Sequence, residues 1–89
     1  MKIVRKVKVA NPLGLHTRPA ASIVKLLQPC KSAVSFTYKS ETINARSIMS
    51  ILMLAAKKNS TIEITVEGED AEATMTHLLL AFEQKFGEK

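Results

Sequence analysis

Residues 61–67, Thr-Ile-Glu-Ile-Thr-Val-Glu, constrain the fold more than any other stretch of this chain. Ile62, Ile64 and Val66 fall on one parity, and Glu63, Thr65 and Glu67 on the other. Successive side chains of a strand point to opposite faces, so this one belongs in a sheet with one apolar and one wet face. An antiparallel sheet tolerates cover on one side only, whereas parallel sheets are covered on both. Gly68 and Asp70 follow, and then Ala71, Met75, Leu78, Phe82 and Phe86 mark one stripe of a last helix, closed by Gly87.

The rest of the chain agrees with a one-sided sheet. Residues 2–9 put Ile3, Val7 and Val9 on one parity, broken by Arg5, with Lys2, Lys6 and Lys8 turned to water. Asn11-Pro12 and Gly14 are turn residues that end this strand. Ala20, Ile23, Val24 and Leu27 recur at helical spacing and predict a helix over 17–27. Pro19 lies in its first turn, where a missing N–H is harmless, and Pro29 stops it. Val34, Phe36 and Tyr38 alternate with Ser35 and Thr37. A turn, Lys39-Ser40-Glu41, then leads to a short strand over 42–44, which completes a hairpin. A short helix is expected over 47–55, capped by Ser47. The order βαββαβα predicts a single domain over 1–89: an α/β (α+β) two-layer open-faced sandwich. A four-stranded antiparallel sheet carries three helices on one face.

Composition narrows the function classes. No apolar run reaches the roughly 18 residues of a membrane span. The start, Met1-Lys2-Ile3-Val4-Arg5-Lys6, lacks the apolar core of a secretion signal. With a single cysteine, Cys30, no internal disulfide can form, and a reducing, cytoplasmic location is expected. The net charge of +5 would suit either nucleic acid or an acidic protein partner. The 13 lysines and arginines are spread along the chain with few aromatic residues between them, which argues against a nucleic-acid module.

Residues 14–21, Gly-Leu-His-Thr-Arg-Pro-Ala-Ala, carry the chemistry. If the helix begins near Thr17, His16 stands at its N-cap, a position that Ser, Thr, Asp and Asn usually fill. A helix mouth offers free N–H donors and a partial positive charge, and so attracts anions. Arg18 adds a guanidinium suited to phosphate oxygens. The positive end also disfavours an imidazolium and favours a neutral ring nitrogen able to attack. These features suit a phosphohistidine formed and discharged by covalent transfer, although a histidine merely filling a solvated cap would read the same way. A metal site is not expected, since His77 lies on a distant helix and no carboxylate neighbours His16 in sequence.

Gly-Leu-His-Thr-Arg-Pro-Ala-Ala resembles the active-site signature of the HPr family, the phosphocarriers of the bacterial phosphoenolpyruvate-dependent phosphotransferase system. Residues 43–56, Ile-Asn-Ala-Arg-Ser-Ile-Met-Ser-Ile-Leu-Met-Leu-Ala-Ala, resemble that family's regulatory-serine segment. The ending, with its Phe-Gly-Glu, is similar to the family's last helix. The resemblance implies that His16 accepts phosphate from enzyme I on Nδ1, that Arg18 steadies the phosphoryl group, and that Ser47 is a target of a serine kinase/phosphatase. It implies a carrier that acts as a monomer without cofactor, passing phosphate to IIA-type acceptor proteins. It also admits the nitrogen-regulatory branch, whose output is signalling. Thr17 stands where alanine is commoner, and Asn59 replaces a usual glycine, which asparagine can do in left-handed geometry.

Ser47 would serve as an N-cap with or without phosphate. The helix it begins is apolar on nearly all sides, yet a helix lying on a sheet buries only one stripe. Ile51 and Leu54 fit that stripe. Ile48, Met49 and Leu52 are left over, and together with Thr17 they are the expected partner surface, which the resemblance assigns to enzyme I and IIA docking. Cys30 reads as a plain thiol, His77 as a solvated helix residue, and Met53 and Met75 as core filler.

Overall fold

The computed structural model describes all 89 residues. Its elements are β1 (Lys2–Lys8), α1 (Thr17–Leu27), β2 (Ala33–Tyr38), β3 (Glu41–Asn44), α2 (Ile48–Leu54), β4 (Thr61–Glu67) and α3 (Ala71–Glu83). A short 3₁₀ turn, Lys85–Gly87, follows. The strands form one antiparallel sheet in the order β1-β4-β2-β3. The open-faced α/β sandwich expected from the sequence is the architecture observed.

Register explains why one face is dry. Ile3 pairs with Val66 and Val66 with Val34, while Ile64 pairs with Phe36 and Phe36 with Ile43. These rows line the inner face, and Ile62, Ile64, Val66 and Phe36 are fully buried. The alternate rows face out: Lys2 opposes Glu67, Lys6 opposes Glu63, and Thr37 and Thr42 share a hydroxyl hydrogen bond of 2.8 Å. Opposite charges and paired hydroxyls are favourable cross-strand neighbours on a solvated face.

All three helices lie over the inner face. α1 brings Ala20, Ile23 and Leu27, α2 brings Ile51 and Leu54, and α3 brings Ala71, Met75, Leu78 and Phe82. Phe36 and Phe82 meet edge to face at 5.9 Å, an arrangement aromatic quadrupoles favour. Arg46 closes the end of α1 by donating to the carbonyls of Leu27 (2.6 Å), Cys30 (2.8 Å) and Ser32 (2.6 Å). It thereby adds a second donor to the Leu27 carbonyl, which also accepts from the Cys30 N–H at 3.0 Å.

Three local expectations are corrected. The hairpin turn is two residues, Lys39-Ser40, and Glu41 already belongs to β3. Both turn residues have positive φ (49° and 67°), the geometry whose twist matches the strands. The last helix ends at Glu83, not at Gly87. Lys85, Phe86 and Gly87 all adopt positive φ, and the reversal returns Phe86 to the stripe, 4.8 Å from Phe82. Met53 is 73% exposed and is not core filler, whereas Met75 is buried. Asn59 has φ +74°, the left-handed geometry anticipated for it.

Asp70 ties α3 to the loop after α1. It accepts from the Lys31 N–H at 2.8 Å, the Ser32 N–H at 2.9 Å and the Ser32 hydroxyl. The Lys31 N–H, then the Ser32 hydroxyl, hold its carboxyl at about 2, below the ordinary 3.8. A carboxyl depressed on folding stabilises the protein fully above its unfolded value, and that contribution is lost as pH falls through the folded value. Melting temperature should therefore fall steeply from about pH 4 to about pH 2. In Asp70→Asn that limb should flatten, leaving the smaller slope due to Glu88, which is also depressed. Thermal melts across the window check this, and an unchanged acid limb in the variant refutes it.

Candidate functional site

The loop between β1 and α1 is fixed before it reaches His16. The Val9 N–H donates to Ser60 O (2.8 Å), the Asn59 N–H to Val9 O (2.7 Å) and the Leu15 N–H to Ala56 O (3.0 Å). Gly14 lies at the crossing, with φ +67°. A Cβ there would collide with the Ala56 carbonyl oxygen and lie 2.9 Å from Lys57 Cα. Only glycine meets both demands. Buried Leu15 anchors the next position, so the chain enters α1 at a set angle.

His16 is the N-cap of α1, with extended backbone (φ −79°, ψ −167°). Its carbonyl accepts the first helical bond, from the Ala20 N–H, while its ring caps nothing. The first-turn N–H groups of Thr17 and Arg18 have no acceptor within the helix, and Pro19 has no N–H to offer. The ring is 30% exposed. It borders a cleft of about 430 Å³ lined by Pro12, Leu13, His16, Arg18, Gly87, Glu88 and Lys89. A similar hollow on the open sheet face, between β2, β3 and β4, is lined by Ser35, Thr42, Asn44, Arg46 and their neighbours, with no imidazole or thiol among them.

Sequence reading placed no carboxylate beside His16, and this is corrected. Glu88 Oε2 lies 2.8 Å from His16 Nε2, across 72 residues of chain. The Asn11 amide braces that carboxylate, with Nδ2 donating to Glu88 Oε1 (2.6 Å) and to Lys85 O (2.9 Å). Two acceptors face Nδ2, so the amide cannot be flipped without setting oxygen against oxygen. The Asn11 amide, then the His16 ring and Arg18, hold the Glu88 carboxyl below the usual carboxylate range. An ionised carboxylate only accepts, so Nε2 must carry the proton. In the neutral ring the lone pair then lies on Nδ1. No third ligating side chain joins the pair to make a metal site.

The match to known proteins decides the family. A family model described as the PTS HPr component phosphorylation site covers residues 3–84. The chain belongs to the HPr family. It is 45% identical to the phosphocarrier protein HPr of Chlamydia muridarum, over 90% of this chain and 77% of that protein. It is 36% identical to the HPr of Treponema pallidum over 98% and 99% of the two chains. The crystal structure of HPr-C-His from Thermoanaerobacter tengcongensis superposes with a TM-score of 0.93 at 31% identity, covering 98% of both chains. HPr proteins are phosphocarriers of the phosphotransferase system, and an HPr dimer from the same thermophile is also known.

The other expected HPr-type residues fall as follows. Arg18 is exposed on the first turn of α1, close enough to Glu88 to help keep its carboxyl ionised, and Thr17 beside it is exposed. Ser47 is the N-cap of α2, its Oγ accepting from the Ser50 N–H at 3.2 Å. Ile48 and Met49 are exposed, at 39% and 68%. Leu52 is only partly exposed and packs against the core, while Met53 next to it is the more exposed of the two. Asn11, read from sequence only as a turn residue, is fully buried. Glu88 was noted only within the closing Phe-Gly-Glu, and no local spacing tied it to His16. No helix is long and apolar enough to cross a membrane.

Proposed function

We propose that the chain is a cytoplasmic carrier that takes a phosphoryl group from phosphorylated enzyme I on Nδ1 of His16 and gives it to IIA-type acceptor proteins. The observation that carries this reading is the His16 ring at the mouth of α1, with its Nε2 occupied by Glu88 and Nδ1 unengaged. In the step itself, the Nδ1 lone pair forms the N–P bond, and the bond from phosphorus to the donor breaks with its electron pair returning to the donor. The Thr17 and Arg18 N–H groups and the Arg18 guanidinium then offer charge-assisted hydrogen bonds to the phosphoryl oxygens. Such transfer needs positioning and charge stabilisation more than covalent chemistry from the protein. The partner proteins complete the reaction, which makes this chain a carrier and not an enzyme. Incubation with phosphoenolpyruvate and enzyme I, followed by intact mass before and after acid, tests it. A gain of one phosphoryl group that acid removes supports the carrier, and no gain refutes it.

The docking surface proposed for both partners is the exposed apolar end of α2, Ile48, Met49 and Met53, with Thr17 beside the nucleophile. Flexible thioethers suit a surface that must fit two partners. The net charge of +5 suits acidic partner faces, which speeds encounter. Ser47 begins this helix, so a phosphate placed there by a serine kinase would add about −1.5 to −2 charges beside Ile48 and Met49 and oppose docking.

A pair of substitutions separates docking from packing. Met49→Asp should weaken enzyme I binding at nearly unchanged melting temperature, because the side chain already meets water. Leu52→Glu should instead unfold the protein more easily, by about 1–3 kcal/mol, since it places a charge against the core. Calorimetric binding and thermal melts on both variants check this. Equal stability loss in the two would show that Met49 is not a free surface residue.

A further inference from the structure

Glu88 reaches His16 by an unusual path. Three successive residues with positive φ, two of them not glycine, turn the chain back after α3. Phe86 pins that reversal edge to face on Phe82, and the fully buried Asn11 fixes the carboxylate from the other side. Side-chain carboxylate, ring and buried amide thus form one chain of hydrogen bonds, Asn11 Nδ2 to Glu88 Oε1 and His16 Nε2 to Glu88 Oε2. L-residues avoid left-handed geometry unless surrounding contacts impose it, and residues held in it cluster at functional sites.

We propose that Glu88, braced by Asn11, is a positioning residue for phosphoryl transfer, holding the His16 ring in the tautomer that bares Nδ1 and stabilising the charge that Nδ1 attack creates. The inference rests on the phosphocarrier reading for its reaction and on the side-chain geometry for the device. When Nδ1 bonds to phosphorus, the proton on Nε2 stays in place and the ring becomes formally cationic. The Glu88 carboxylate, 2.8 Å away, faces that new charge without taking the proton. On discharge the N–P bond breaks, its pair returns to Nδ1, and the ring is again neutral with the same proton on the same nitrogen. A carboxylate behind a catalytic imidazole acts in this way in hydrolytic triads: it orients the ring and steadies the imidazolium without becoming protonated. The contact also fixes which way the ring is turned, which is the geometric share of the effect.

The test uses the full chain with Glu88→Ala, Glu88→Gln and, as an exposed carboxylate outside the cleft, Glu83→Ala. Nitrogen-15 NMR of the ring, at a pH where it is neutral, reports the tautomer. The wild type and Glu83→Ala should show the Nε2–H form almost alone, while Glu88→Ala should gain a Nδ1–H population. Glu88→Gln can still accept through its amide oxygen and should keep the Nε2–H form. Phosphoryl acceptance from enzyme I should fall about three- to tenfold in maximal rate for Glu88→Ala, at unchanged half-saturating concentration. Glu88→Gln, which lacks the charge, should fall between. An unchanged ring tautomer in Glu88→Ala, or a shifted tautomer with an unchanged maximal rate, overturns the proposal. If the wild type itself accepts no phosphate, the carrier reading fails, and the tautomer measurement alone then judges the clasp.

Discussion

His16→Ala is expected to abolish acid-labile phosphorylation altogether while leaving the fold in place. The ring caps no N–H of α1 and is partly exposed, so its removal opens no core cavity. What is lost is the contact to Glu88, which lies at the rim of the cleft and is partly open to solvent. The loss of phosphate should be complete, because no neighbouring side chain can replace the nucleophile at the mouth of α1. His77, the remaining histidine, is exposed on α3 away from the cleft. Intact mass after incubation with phosphoenolpyruvate and enzyme I gives the readout, with a thermal melt as the control for folding. Acid-labile phosphate persisting in the variant would remove His16 from the centre of the mechanism.

Gly14→Ala should produce the largest stability loss of any single methyl added near the site. The position combines φ +67° with a Cβ that would strike the Ala56 carbonyl oxygen, and the struck atom is backbone that cannot rotate away. Left-handed strain of about 1 kcal/mol adds to about 1–3 kcal/mol for overpacking. For a domain of this size, a loss of about 2–4 kcal/mol lowers the melting temperature by roughly 10–25 °C. The Leu15 N–H to Ala56 O bond should be the first to lengthen, and with it the approach of His16 to the cleft. Amide exchange at Leu15 and the melt together decide the matter. A variant that melts within a few degrees of wild type, with Leu15 still protected, would show that the crossing is looser than its geometry.

The sheet and helices were legible because their signals are local. Alternation in residues 61–67 and the helical stripe from Ala20 to Leu27 depend on neighbours a few residues apart, and both elements lie where those periods put them. The hairpin's turn was read one residue too long, because Lys39-Ser40 adopts positive φ without glycine or asparagine to announce it. The last helix was extended past Glu83 for a related reason: Phe86 keeps the apolar spacing of the helix while the backbone has already reversed. Periodicity reports which side chains reach the core, not the path by which they do so. On α2 a surplus of apolar residues was visible, but which of Leu52 and Met53 faces out depends on how the helix is rotated on β3.

For the site, residues 14–21 by themselves pointed to a helix mouth that would receive an anion, with His16 and Arg18 beside it, and the family resemblance made His16 the expected nucleophile. They could not determine what orients the ring. That group, Glu88, is 72 residues away, and its brace, Asn11, looked like an ordinary turn residue. Only the packing of α3 along β1, with the reversal after Glu83, brings the end of the chain back to the loop where α1 begins. The sequence by itself determined the local field at the His16 ring, since that arises within one helical turn. The ring's tautomer was decided by the tertiary structure, because a hydrogen bond acts only over about 3 Å and the chain must close on itself to make one.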